Sequence, residues 1–161
     1  MNQSTQKILL LVVATVALIV TPVRFAVAAF STIHDLSFGT VAVLNNTSSS
    51  EITITLNNQY SVTNHLRVLR PGHRGEYLLS AYPPYTQLFV SANITLTQTA
   101  SSAGSSEQFT LTSLTTAPSV TTDAAGIATI FVGGTLRTSG SGSGQYFDTS
   151  YSVNFDISIN Y

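Results

Sequence analysis

The chain's scarce cationic side chains crowd into one stretch, "HLRVLRPGHRGEY" (65–77), which holds Arg67, Arg70 and Arg74 together with His65 and His73. A planar guanidinium fork matches the geometry of a carboxylate or phosphate. Arg67, Arg70, His73 and Arg74 are therefore candidate contacts for an anionic glycan or a lipid head group, set against a plainer role as a solvated hairpin tip. Just downstream, "YPPYTQLF" (82–89) offers Tyr82, Tyr85 and Phe89 as flat surfaces on which a sugar could stack. For Tyr82 and Tyr85 the plainer role is that of turn or core aromatics.

Sites of bond-making chemistry are harder to find. His73 and Glu76 have an HxxE spacing, but Pro71, Gly72 and Gly75 around them deny the helix that would aim both at one metal ion. His34, His65 and His73 form neither an HExxH motif nor an i,i+4 pair. Serine is abundant without a GxSxG elbow. The "SGSGSG" run (139–144) lacks the GK[ST] of a phosphate loop and the helix that a dinucleotide fingerprint needs. The seven acids are scattered, so a glycosidase pair would have to be assembled by the fold. No enzyme, metal or cofactor is expected.

The elements that must carry these residues begin with an export segment. In "KILLLVVATVALIVTPVRFAVAAF" (7–30), Lys7 precedes an apolar run from Ile8 to Val20, too short to span a bilayer as a helix. Ala26-Val27-Ala28 and Val27-Ala28-Ala29 supply small-x-small patterns for cleavage after Ala28 or Ala29. Residues 1–29 thus read as a signal peptide, helical if uncleaved, and 30–161 as one domain destined for the periplasm, outer surface or extracellular space. Contact with a membrane is expected only through that segment during export. Arg67, Arg70, Arg74 and Arg137 then face seven acids, a net charge of −3. So acidic a balance disfavours nucleic acid, whose binding depends on phosphate neutralisation. With no cysteine in the chain, packing and ladder hydrogen bonds must supply the stability that many small exported domains take from disulfides.

Beyond the leader the sequence alternates. Ile52, Ile54 and Leu56 oppose Glu51, Thr53 and Thr55; Ala92, Ile94 and Leu96 oppose Asn93, Thr95 and Thr97; Phe109 and Leu111 oppose Gln108, Thr110 and Thr112. Period two with threonine on the wet face marks half-buried strands. Gly, Pro and Ser clusters punctuate them, as in a sandwich or barrel. Gly133-Gly134 interrupts the strand-like stretch Ile127 to Thr138, and a bulge or close backbone approach is expected there, with a kink that turns both Val132 and Leu136 to the core. The Ser/Gly run at 139–144 reads as a flexible hairpin loop. The last residues alternate throughout: Tyr151, Val153, Phe155, Ile157, Ile159 and Tyr161 are apolar, with polar residues between. That pattern predicts a two-faced strand reaching the terminal carboxylate and offering one hydrogen-bonding edge for assembly.

"HDLSFGTV", "IFVGGTLRT" and "GQYFDTSYSVNFDISINY" together resemble domain-of-unknown-function family 4402 (DUF4402), carried here by Leu36, Phe38 and Gly39, then Val132 to Leu136, then Gly144, Tyr146 and Tyr161. Such exported bacterial β-proteins are similar to spore-coat-U-like and archaic pilin subunits. The resemblance implies an immunoglobulin-like antiparallel β-sandwich and a surface or fimbria-like structural subunit. Such a subunit could pair with a periplasmic chaperone and then self-assemble by strand addition, with Phe30, Thr32, His34, Leu36 and Phe38 on alternate positions of a donated N-terminal segment. The alternative is a free-standing, non-enzymatic secreted or periplasmic sandwich that binds a glycan or another surface ligand.

Overall fold

The computed structural model describes residues 27–101, 103 and 107–161; the expected leader helix lies outside them. Alternation produces strands over most of the stretches where it was legible, with Leu56, Leu96 and Val153 falling outside them: β1 (Ala29–His34), β2 (Thr40–Val43), β3 (Glu51–Ile54), β4 (Tyr60–Val62), β5 (Leu66–Arg70), β6 (Gly75–Ser80) and β7 (Gln87–Ile94). They continue as β8 (Ala100–Ser101), β9 (Thr110–Thr116), β10 (Ser119–Thr121), β11 (Ala128–Arg137), β12 (Tyr151–Ser152) and β13 (Phe155–Asn160). Every ladder between them is antiparallel, and no helix occurs among the described residues. The expected all-β antiparallel sandwich is what the chain builds.

Strand β11 is its axis. One edge pairs with β6 from Ala128 to Val132 and then with β3 from Gly134 to Arg137, while the other edge pairs with β9. Gly133 sits where the first partner leaves and the second arrives. A Cβ there would lie 2.4 Å from the Ile54 carbonyl oxygen, and one on Gly134 would lie 3.0 Å from that of Ser113. The paired glycines therefore admit a crowding backbone, and the expected kink is absent. Val132 and Leu136 are both buried because plain alternation already puts residues four apart on one face. The bulge belongs instead to β9. Thr135 pairs with Ser113 and Leu136 with Leu111, leaving Thr112 as the extra residue. It lets Leu111 and Leu114, three apart, both turn inward.

Strands β9 and β10 are one segment bent at Ala117-Pro118. The first half pairs with β11, and the second with β7 in a β10-β7-β13 sheet. Proline suits such a corner because it lacks the N–H that a ladder would demand; its carbonyl still accepts from the Val90 N–H (2.9 Å). Between the two layers lie Tyr77, Leu79, Leu88, Val90, Ala128, Ile130 and Val132. A second cluster of Ile52, Leu66, Phe109, Leu111 and Leu136 fills the other half, below the β2–β5 and β8–β12 pairs. Leu114 and Phe155 touch both clusters and join them into one core.

The Ser/Gly run departs from expectation, being neither loose nor a hairpin. The Asn46 side chain accepts from the Gly140 N–H (3.0 Å) and donates to Ser139 Oγ (2.9 Å), and the Asn46 carbonyl accepts from the Gly142 N–H (2.8 Å). Ser141 Oγ donates to Glu107 (2.6 Å), and the Ser139 N–H donates to the Tyr146 hydroxyl (2.8 Å). The run is laced to distant loops, and β12 beyond it pairs with β8 rather than with β11.

Candidate functional site

The corner at Pro118 closes one side of the sandwich and leaves the other open. Counting away from the corner, one layer runs β11, β6, β1 and the other runs β10, β7, β13. Strands β1 and β13 therefore lie across from each other at the far side, and no ladder joins them among the described residues. Each spends one edge on its neighbour, and among the described residues nothing pairs with the other.

The predicted terminal strand is placed as its pattern requires. Tyr151, Val153, Phe155, Ile157 and Ile159 are half-buried on one face, and Ser152, Asn154, Asp156, Ser158 and Asn160 are exposed on the other. Its pairing nonetheless switches partner, since Tyr151-Ser152 join β8 and Phe155 to Asn160 join β7. Tyr151 packs edge-on against Phe109 at 5.0 Å between ring centroids. Tyr161 is exposed, with its ring edge-on to Tyr82 at 5.3 Å.

The N-terminal segment differs from the expected row of alternate residues. Phe30 and Thr32 lie across from Leu79 and Tyr77, on the core face of β6. A bulge at Ile33 then sets His34 across from Glu76 on the outer face. All six residues of β1 are exposed, even though Phe30 stacks on Tyr77 at 5.2 Å. Leu36 and Phe38 beyond it are anchored, each against one core cluster. Tyr77 marks the inner boundary of this arm. Burial raises its phenol pKa above the ordinary 10.0, the Asp35 carboxylate adds to the rise, and a hydrogen bond with the Leu36 backbone opposes both.

The candidate ligand residues are divided rather than gathered. "RPGHRG" is a crossover, not a hairpin tip, because β5 pairs with β2 whereas β6 pairs with β1 and β11. Arg67 and Arg70 project into solvent from β5. The six residues of β6, about 20 Å of strand, separate His73 and Arg74 from Tyr82 and Tyr85. Tyr82 packs on the core, its loop pinned by Thr122 Oγ1 donating to the Pro83 carbonyl (2.7 Å), and Tyr85 stands exposed.

What the fold does assemble is an open cleft of about 340 Å³ on the outer face, lined by His34, Asn58, His73, Arg74 and Glu76. The Arg74 guanidinium lies 3.5 Å from the centroid of the Phe131 ring and donates to the Leu56 carbonyl, while its backbone N–H donates to Asn58 Oδ1 (2.9 Å). The crossover is bound to the arm's base by reciprocal Ser37–His73 backbone hydrogen bonds of 2.9 and 2.8 Å. His34 and Asn58 were not singled out for this site from sequence. Only the pairing of β1 with β6 brings His34 to His73, 39 positions away.

A family model described as a domain of unknown function (DUF4402) matches residues 29–161. No curated protein matches the chain, and no solved structure does.

Proposed function

We propose that this chain, which belongs to the DUF4402 family, is an exported, non-enzymatic structural subunit of a surface or fimbria-like assembly, joined to its neighbours by β-strand addition. The reading rests on the open side of the sandwich. An unpaired strand edge is a template for another chain, and proteins usually blunt it with lysine, proline or bulges. β13 carries none of these, only the outward Asp156. Across from it, β1 is attached mainly through its backbone, with no side chain fully buried and Phe30 stacked on Tyr77, so six residues can leave one molecule and pair with another at little cost in core packing. Cleavage after Ala28 would make the first residue of β1 the new N terminus. Transfer of the arm to the next molecule in one direction is a heterologous contact, and such contacts propagate into filaments. A periplasmic chaperone would protect the same edge before assembly.

Titrating a synthetic peptide of residues 29–38 into the purified full chain tests this. Saturable one-to-one binding with a rise in Tm is expected, worth about 2.7 kcal/mol at a hundredfold excess over Kd. A sharply unfolding monomer that neither self-associates nor binds the peptide would reject the reading. One observation favours the second reading, a free-standing binding protein: the cleft that brings His34, His73 and Arg74 together.

A further inference from the structure

We propose that His34 and His73 together bind a divalent transition-metal ion, zinc being the best fit, in the cleft beside β1. The inference stands on the cleft's own geometry and does not depend on the assembly reading. His73 Nδ1 lies 3.2 Å from the Arg74 carbonyl oxygen. A carbonyl can only accept, so Nδ1 is the donor, and in the neutral ring the lone pair is then on Nε2. That is how an imidazole is oriented for a metal, with one nitrogen anchored to the backbone and the other presented.

The spacing fits as well. The His34 and His73 ring centroids are 5.6 Å apart, with planes inclined by 64°. Two imidazoles bound at Zn–N distances of 2.0–2.1 Å with a tetrahedral angle between them have centroids about 5.2 Å apart. The observed separation is within a few tenths of an ångström of that value.

Glu76 supplies negative charge, lying directly across the ladder from His34 and lining the same cleft. The cation already present, Arg74, is held over the Phe131 ring and on the Leu56 carbonyl. Among the described residues no three His, Cys, Asp or Glu side chains form a complete metal site. The ion would therefore keep water in its remaining positions, and its affinity is set by two imidazoles, with Glu76 acting through water. His34 ends the β1 arm and His73 belongs to the body, so a bound ion would also tie one to the other.

Isothermal titration of the full chain with zinc in chelator-treated buffer is the test. One equivalent should bind with micromolar affinity, about tenfold or more weakened by either His34→Ala or His73→Ala. His65→Ala, whose ring does not line the cleft, should bind as the parent does and shows that folding and free imidazole are not the variables. Zinc binding unchanged in both cleft variants, or lost in His65→Ala, would overturn the proposal. So would the absence of saturation below about 1 mM, far above the affinity expected of an oriented imidazole pair. Saturable binding of inorganic phosphate without any response to zinc would reassign the cleft to anions. A chain that binds zinc but never associates defeats the assembly reading alone; one that associates but ignores zinc defeats only this one.

Discussion

Strands β1 and β13 are each six residues long, each lies at the outer margin of its layer, and each pairs with a single neighbour. β13 alternates between half-buried and exposed residues, and Phe155, Ile157 and Ile159 pack on the core. Every residue of β1 is exposed, and its ring contacts are the Phe30–Tyr77 stack and the edge-on approach of His34 to His73. Ladders of five and six paired positions with so unequal a burial mean unequal attachment. A backbone hydrogen bond adds only about 1 kcal/mol net, whereas a large apolar side chain adds 1.5–3 kcal/mol on full burial. β13 is thus held by side chains as well as by its ladder, whereas β1 is held mainly by its ladder and the chain packs on the core only from Leu36 onward.

The sharpest way to break this contrast is a single side-chain substitution within each strand. Ile157→Asn should lower unfolding free energy by about 2–3 kcal/mol, because an amide replaces a side chain packed on the core. Urea denaturation measures it. Phe30→Ala should cost about 0.5–1.5 kcal/mol, the range of an aromatic pair, and leave the denaturant m-value unchanged. Equal losses from the two substitutions would mean that β1 is as well anchored as β13.

A smaller effect sharpens the boundary between arm and core. The Tyr77 phenol is held above its ordinary value, so the folded state retains a proton that the unfolded chain gives up. Its contribution to stability is complete below pH 10, the unfolded value, and is lost as pH rises through the folded value. Tyr77→Phe should therefore unfold less steeply with alkali above pH 10 and differ by no more than about 1 kcal/mol at neutral pH. An identical alkaline profile would remove Tyr77 from the account.

Much of the fold was legible because strand period is a local property. Ile52, Ile54, Leu111 and the inward face of the closing strand can be read from neighbours two positions apart. Pairing partners are not local. Nothing in "VNFDISINY" says that it will join β7, and nothing near Ile33 announces the bulge that moves His34 to the outer face. Gly133-Gly134 signalled backbone crowding, but only the convergence of β6 and β3 on one edge of β11 says why. The Ser/Gly run looked loose because Asn46, more than 90 positions earlier, is invisible from within it. The cleft failed to announce itself for the same reason, since its halves meet only through the β1–β6 ladder.

Native-state hydrogen exchange under increasing denaturant measures the difference between β1 and β13 directly. Of the Ser31 and Thr32 amides, the one that donates to β6 should exchange by local opening, at least about a hundredfold faster than those of Val90 and Ser158 and with little dependence on denaturant. If that β1 amide is instead protected to the level of Val90, and loses that protection in step with it as denaturant rises, β1 is an integral strand and the open side is not held by a detachable arm.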